Sequence, residues 1–257
     1  MEKNFKGISN KIRYSFLQLL NQGYKYHLGG TASCIDLLVA LFYGNYISLK
    51  KRNRSPFILS KGHALAALYL ILIDQKIISK KKFDQLNSRG LMGGQLDVFN
   101  LKKYVDWNSG SLGHSIGVCI GFAIANPKKK IWTIVGDAEM DEGSVWEALF
   151  FITEHNINNI IIIIDRNRIS ASSKIENKEI FDKKILNQLN LNVQKINGHD
   201  FKNIFKSFNN AVKEKKSSII IANTIKGKGF GVAENNISFN HSQPKKELIQ
   251  ELIKTYE

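Results

Sequence analysis

The sequence predicts a single α/β domain in which a doubly wound, mostly parallel sheet is flanked by helices. The stretch from 131 to 170 carries the pattern. It begins with a short apolar run at 131–135, continues with apolar residues at helical spacing over 143–155, and ends with five consecutive isoleucines closed by an acid at 159–165. An apolar run of that kind suits a central parallel strand buried on both faces. Two parallel strands joined by a helix form a βαβ unit, which binds ligands at the carboxyl ends of its strands.

The remaining elements are predicted from the same periodicities. Further strands are expected at residues 57–59, 191–196 and 218–224. Helices are expected at residues 10–22, 33–43, 64–73, 79–86, 111–125, 201–214 and 244–257. Asp200 is a suitable N-cap for the helix at 201–214. The alternation of strands with helices is typical of α/β proteins.

Composition limits the classes of protein that are possible. The 257 residues suffice for one large domain, and 43% hydrophobic content supports a packed core. No apolar run is long enough for a membrane span, the N-terminus lacks an apolar signal core, and Cys34 and Cys119 lie among small apolar residues as reduced thiols do. The net charge of +15 is dispersed rather than gathered in a nucleic-acid motif. We therefore expect a cytoplasmic protein that binds neither membrane nor nucleic acid.

Two oxygen-bearing side chains stand where the two strands of the βαβ unit end. Asp137 follows the first strand and Asn167 follows the second. A carboxylate and an amide oxygen are hard ligands, suited to Mg²⁺ or Ca²⁺, and Mg²⁺ completes its shell with water and phosphate oxygens. Asp137 also lies just before a predicted helix N-terminus, which attracts phosphate. The pair predicts a metal–diphosphate site, and plain turn chemistry remains the alternative.

The segment from Ser60 to His63 gives a second indication of an anion site. A short strand ends in Ser-Lys-Gly-His, and a helix begins at once. A cation at Lys61, a glycine that permits close approach and a helix N-terminus all favour a bound anion. A strand–helix turn with a surface lysine is the alternative interpretation.

These motifs together resemble one family. GDAEMDEGSVWEA followed by DRNRIS is similar to the thiamine diphosphate motif of transketolases, and FILSKGHA and GSLG occur in the family's order. The resemblance implies a thiamine diphosphate-binding fold in which Mg²⁺ (or Ca²⁺) is held by Asp137, Asn167 and the backbone carbonyl of Ile169. It implies that the cofactor is bound by His63, Gly110, Ser111, Leu112, Gly136, Asp137, Ala138, Glu139, Glu142, Asn167, Ile169, Lys226 and His241.

The same resemblance assigns roles to histidines. His27 precedes a Gly-Gly turn and corresponds to a substrate-contacting histidine of the family. His63 would face the diphosphate and thiazolium region, and His114 would lie beside the substrate. The segment 226–231, which we expect to be a mobile glycine loop, precedes His241 and would close over the diphosphate.

The sequence departs from the family pattern at two places. Ala138 stands where glycine is usual, and Gly94-Gln95 replaces a Gly-His-Pro sequence whose histidine meets the donor sugar. The second change predicts that an ordinary ketose phosphate is not the preferred donor.

The function implied is transfer of a two-carbon ketol unit from a ketose to an aldose. The chain resembles the N-terminal, diphosphate-binding subunit of a split transketolase, with the pyrimidine-binding and C-terminal domains expected on a partner chain. We expect a homodimer within a heterotetramer, with sugars or sugar phosphates as substrates. The alternatives are a subunit of a deoxyxylulose-phosphate synthase-like or 2-oxoacid dehydrogenase-like enzyme, and a non-catalytic cofactor-domain binding module.

Overall fold

The sheet is fully parallel. A computed structural model describes residues 4–50, 53–88, 104–170, 173–175, 183–239 and 244–256. Within these residues the strands run β1-β2-β3-β5-β4 across the sheet, and every neighbouring pair is parallel. Their bounds are β1 Phe57–Leu59, β2 Ile131–Gly136, β3 Ile160–Arg166, β4 Asn192–Asn197 and β5 Ser218–Asn223. The predicted fold class is confirmed.

Helices lie on both faces of this sheet. Their bounds are α1 Phe5–Asn21, α2 Leu28–Ser33, α3 Ile35–Tyr43, α4 Leu65–Asp74, α5 Lys80–Ser88, α6 Ser115–Ala125, α7 Gly143–Glu154, α8 Lys183–Asn187, α9 Phe201–Lys213 and α10 Lys246–Lys254. Helix α1 starts earlier than predicted because the Asn4 side chain accepts a hydrogen bond from Gly7 N at 2.8 Å. The helix predicted over 33–43 is replaced by α2 and α3, which are separated at Cys34. Asp200 caps α9 as predicted, through a 2.9 Å bond from Lys202 N.

The isoleucine run of β3 divides the core into two layers. Ile161 and Ile163 join the larger cluster, which includes residues of α1, α3, α4 and α9. Ile160, Ile162 and Ile164 join a second cluster with α6 and α7. Successive side chains of a strand point to opposite faces, so an unbroken apolar run requires cover on both sides. The strand is therefore buried on both faces, as its sequence predicts.

Other predictions from composition hold where the structure tests them. Cys34 and Cys119 are buried free thiols. Among the described residues, none of the helices has the length and apolar character that a membrane crossing requires. The carboxyl ends of β1, β2, β3 and β5 meet at one edge of the sheet, where the candidate site lies.

Candidate functional site

A cavity of about 320 Å³ opens at the carboxyl edge of the sheet. A volume of this size is typical of small-molecule sites. Its walls come from the segments that follow β1, β2, β3 and β5, together with helix α2 and the residue before it, and the segment before α6. The lining residues are His27, Gly30, Ser60, Lys61, Gly62, His63, Gly110, Leu112, Gly136, Asp137, Ala138, Glu139, Asn167, Ile169, Ser170 and Lys226.

Most of the residues that the sequence predicts for the site are in this wall, and three are not. Ser111 and His114 are exposed, and Glu142 is the N-cap of α7 and packs against Gly113. None of the three lines the cavity. His241, like the altered loop at Gly94, lies outside the described residues.

Lys61 does not present its charge to the cavity as the sequence suggests. Its Nζ forms a buried ion pair with Asp165 and donates to the Gly30 carbonyl at 3.0 Å. Asp165 also accepts hydrogen bonds from Ser33 Oγ at 2.6 Å and from Thr224 Oγ1. Although burial opposes ionisation of both partners, their attraction raises the pKa of Lys61 and lowers the pKa of Asp165. The lysine is thus a structural cation of the cavity wall.

Asp137 is the acid most directly placed at the site. It is buried, and its two carboxylate oxygens accept from Ala138 N at 2.9 Å and from Arg168 N at 2.5 Å. Burial, with the nearby carboxylate of Asp165, raises the pKa of Asp137 to about 6. The predicted helix start after Asp137 is a single 3₁₀ turn, Ala138–Asp141, and the α-helix begins at Gly143.

The turn after β3 places two predicted metal ligands in succession. Asn167 is buried, and its Oδ1 accepts from Ile169 N at 3.2 Å. Arg168 between them has φ of 63°, a left-handed conformation that reverses the chain sharply. Lys226 Nζ donates to the Ile169 carbonyl at 2.9 Å and to the Ser170 carbonyl at 3.2 Å. A lysine therefore contacts the oxygen that the sequence predicts as a metal ligand.

Glu139 joins three segments of the wall. Its Oε1 accepts from Ser60 Oγ and from Gly113 N at 3.1 Å, and its Oε2 accepts from Gly136 N at 3.2 Å. Burial raises the pKa of the Glu139 carboxyl. Its hydrogen bonds fix the end of β1, the end of β2 and the start of the turn before α6 relative to one another.

Two of the predicted histidines meet in the wall. The rings of His27 and His63 are edge to face, with centroids 5.8 Å apart. A Cβ on Gly30 would lie 2.5 Å from the His63 ring, so only glycine admits the ring at this place. The His63 ring is exposed where it lines the cavity, but protein atoms crowd around it and limit its hydration. This desolvation, together with the charge of Lys61, lowers the pKa of His63 to about 3 and keeps it neutral.

The glycine loop at 226–231 makes hydrogen bonds to three other parts of the chain. Gly227 N donates to the Gly29 carbonyl at 3.1 Å, and Gly229 N donates to Glu234 Oε1 at 2.8 Å. The Gly229 carbonyl accepts from Tyr256 Oη at 2.7 Å. Glycine content indicates conformational freedom, and these three hydrogen bonds show how the loop is held in this structure. Its mobility stays a prediction.

Sequence reasoning missed three polar residues behind the wall. All three are buried: Asp165 and Ser33 contact the Lys61 ammonium, and Thr224 donates to Asp165. The only signal in the sequence was the acid that closes the isoleucine run, because a charged residue at the end of a buried strand needs a partner.

Comparison with known proteins now identifies the family. The model for "Transketolase, thiamine diphosphate binding domain" matches residues 6–256. The chain belongs to the transketolase family. A transketolase structure from Campylobacter jejuni has the same fold, with a TM-score of 0.80 and 24% identity, and the match covers 100% of this chain and 43% of that one.

Two-chain transketolases are among the relatives of similar length. One subunit of the apulose-4-phosphate transketolase of Phocaeicola vulgatus is 28% identical over 96% of this chain and 91% of its own length. One subunit of the 6-deoxy-6-sulfo-D-fructose transketolase of a Clostridium species is 29% identical over 93% and 91%. Human transketolase is 26% identical over 96% of this chain, which spans 41% of that protein. The predicted kinship with the N-terminal subunit of a split transketolase is confirmed, and so is a thiamine diphosphate-binding domain.

The predicted metal ligands are a carboxylate, an amide and a backbone carbonyl. In the part of the chain that the structure describes, no three His, Cys, Asp or Glu residues gather into a metal site. A metal held as predicted needs only one such side chain, Asp137, so the metal stays a prediction.

Proposed function

We propose that this chain is the cofactor-binding subunit of a two-chain transketolase, in which Asp137, Asn167 and the Ile169 carbonyl hold Mg²⁺ on the diphosphate. The observation that carries the proposal is that all three residues line one cavity. The Arg168 amide, between the last two of them in the chain, donates to Asp137 Oδ2 at 2.5 Å. Mg²⁺ favours such hard oxygen ligands and shares its shell with phosphate.

The residues present fit the group. Each of the three oxygen donors accepts few hydrogen bonds and retains a lone pair for a cation. A Cβ on Gly136 would meet only Lys61 Cγ, at 3.9 Å, so the backbone is open to close approach by a ligand. The buried Oγ of Ser109, next to Gly110 in the wall, has no hydrogen-bond partner among the described residues. The site thus offers space and polar groups on the sides that the cofactor would occupy.

The side chains of the wall divide the work. When bound, thiamine diphosphate supplies the carbanion chemistry of ketol transfer. Lys226 is the cation that faces the diphosphate, because the charge of Lys61 is already neutralised by Asp165. Neutral His63 and its neighbour His27 donate or accept hydrogen bonds at substrate oxygens. His241 and His114 remain candidates for contact with substrate in the assembled enzyme.

An exposed apolar face supports association with other chains. On α6, Gly117 and Gly121 are exposed, and an added Cβ would meet nothing within 4 Å. Ile124 on the same helix is 62% exposed, and Phe150 on α7 is 58% exposed. Exposed apolar residues on two helices that pack against each other favour an interaction site. We assign it to assembly with a second copy and with a partner chain that carries the pyrimidine-binding domain, giving a heterotetramer.

The donor is proposed to be a modified sugar. The names of two relatives specify apulose 4-phosphate and 6-deoxy-6-sulfofructose. This chain has Gly94 where ordinary transketolases carry a histidine for the donor. Both observations support a substrate other than the common ketose phosphates.

The test of the cofactor site is Asp137→Ala. Calorimetric titration of the chain, mixed with its partner, with thiamine diphosphate and Mg²⁺ should show no binding, because the variant lacks the charged ligand. The melting temperature should stay within a few degrees of the wild type, which separates loss of the site from unfolding. Unchanged affinity in the variant would sink the assignment.

A further inference from the structure

A buried network outside the cavity holds the loop that carries Lys226. One oxygen of Asp36, Oδ2, accepts from Arg13 Nη2 at 2.7 Å and contacts His199 Nδ1 at 2.7 Å. The side chains of Arg13 and Asp36 are each 6% exposed and that of His199 is 12% exposed. None of the three lines the cavity. Burying charged groups carries a desolvation cost, so the network needs a structural reason, and its contacts to the loop provide one.

Two members of the network form hydrogen bonds with the loop backbone on either side of Lys226. Ile225 N, immediately before it, donates to His199 Nε2 at 2.8 Å. The carbonyl of Lys228, two residues after it, accepts from Arg13 Nε at 2.9 Å. His199 and Arg13, which make these two hydrogen bonds, both contact Asp36 Oδ2. The two ends of the short segment are therefore fixed relative to each other.

The hydrogen bonds define the form of the imidazole. Because Ile225 N–H donates to Nε2, this nitrogen carries no proton, and Nδ1–H is the donor to Asp36. Only the neutral ring with this tautomer makes both bonds. The ring therefore transmits the position of Asp36, on α3, to the backbone next to Lys226.

The position of that backbone decides where the lysine ammonium lies. Lys226 extends from the fixed segment to the carbonyls of Ile169 and Ser170, in the turn after β3. A Cβ on Gly29 would lie 2.9 Å from Lys226 Cγ, so the stem of the side chain is also closely confined. A long lysine side chain loses much rotamer freedom when it is held in one place, and a fixed base reduces that cost at the moment of binding.

We infer that His199 is a positioning residue for the cofactor site: it orients Lys226 toward the diphosphate through the Ile225 amide. The inference rests on the proposed role of Lys226 and adds a residue that does not touch the ligand. His199 lies in the turn between β4 and α9, and Asp36 and Arg13 lie on α3 and α1. The site is thus set by a network that reaches three elements of the larger core layer.

Two substitutions separate positioning from general stability. His199→Asn keeps an amide nitrogen where Nδ1 contacts Asp36 but lacks an acceptor that reaches Ile225. His199→Gln reaches Ile225 with its amide oxygen but gives up the matching contact to Asp36. Asp200→Asn, in the same turn, is the control, because asparagine caps α9 as well as aspartate does.

The measurement is the dissociation constant for thiamine diphosphate at fixed Mg²⁺, with the partner chain present. Lys226→Gln should weaken binding by about tenfold or more, as expected for loss of a charged hydrogen bond. His199→Asn should weaken it by several fold, whereas His199→Gln and Asp200→Asn should bind almost as the wild type does. The double variant His199→Asn/Lys226→Gln should be no weaker than Lys226→Gln alone, since one residue acts through the other.

Hydrogen exchange of the Ile225 amide gives a readout that does not involve the cofactor. Exchange should be faster in His199→Asn than in the wild type, and close to the wild type in His199→Gln. The inference is overturned if the effects of His199→Asn and Lys226→Gln on affinity multiply, if His199→Gln binds as weakly as His199→Asn, or if Ile225 exchange is the same in all variants. Wild-type affinity in Lys226→Gln would instead overturn the role of Lys226 in the proposed function, and the exchange data would still decide whether His199 fixes the loop.

Discussion

Lys61 and Asp165 form an ion pair behind the cavity wall, although 104 residues separate them in the chain. Their side chains are 2% and 0% exposed. The pair joins the end of β1 to β3, so it sets the spacing of the strand ends that carry the proposed cofactor ligands. Lys226, the other lysine of the wall, bonds to two backbone carbonyls and to no carboxylate among the described residues.

Breaking this pair should destabilise the fold strongly. Asp165→Asn leaves a buried ammonium without its counter-charge, and we expect a loss of about 3 kcal/mol in the free energy of unfolding, measured with urea. Lys61→Met/Asp165→Asn, which removes both charges, should be more stable than Asp165→Asn alone.

A surface pair provides the matched control. Lys80 and Asp84 are 2.5 Å apart but 43% and 42% exposed. Asp84→Asn should therefore lower the free energy of unfolding by less than about 1 kcal/mol. If the double variant in the buried pair is no more stable than Asp165→Asn, the loss does not come from the unpaired lysine.

The sequence predicted the frame of the site better than its charges. Strand ends are predictable because an apolar run and the polar residue that stops it are neighbours in the chain, as at Asp137 and Asn167. The partner of Lys61 was not predictable, because only the parallel packing of β1, β2 and β3 brings Asp165 to it. The hydrogen bond from Ile225 N to His199 was not predictable for the same reason: the fold brings together residues far apart in the chain.

Acid should weaken the network around Asp36. Although burial opposes its ionisation, the bonds from His199 and Arg13 lower the pKa of Asp36 from 3.8 to about 2. A carboxyl whose pKa is lower in the folded state stabilises the fold above the unfolded pKa and loses that contribution as pH falls. We expect about 2 kcal/mol of the free energy of unfolding to disappear between pH 4 and pH 2 on this account.

Asp36→Asn isolates that contribution. Urea unfolding at several pH values should show a shallower decline between pH 4 and pH 2 in this variant than in the wild type. Parallel declines in the two proteins would mean that other carboxyl groups account for the acid sensitivity.

Two substitutions of an exposed glycine of α6 should affect different properties, one the stability of the chain and the other its association. Gly121→Ala should raise the free energy of unfolding of the isolated chain by up to about 1 kcal/mol, because alanine favours a helix and the added methyl meets nothing. Gly121→Glu places a charge on the proposed interface and should block association, measured by sedimentation with and without the partner chain. Lys202→Glu, at an exposed position of α9, is the control. If Gly121→Glu associates as the wild type does, the interface does not include this face of α6.

Donor choice should follow the altered loop. The enzyme reconstituted from both chains is expected to use apulose 4-phosphate or 6-deoxy-6-sulfofructose more efficiently than xylulose 5-phosphate, measured as kcat/KM. Gly94→His should improve xylulose 5-phosphate by about two- to tenfold, the contribution of one hydrogen bond, while Gly94→Ala should not. Full efficiency with xylulose 5-phosphate, unimproved by the histidine, would show that the loop change is neutral.

The two lysines of the cavity wall bear on whether the subunit can fold before it binds a cofactor. Asp137 and Asp165 are buried acids, and Lys61 and Lys226 supply positive charge beside them from within the same chain. The acids therefore have internal counter-ions before any other cation arrives. We expect the subunit to fold without a metal ion or thiamine diphosphate, so that the cofactor can be added after folding is complete.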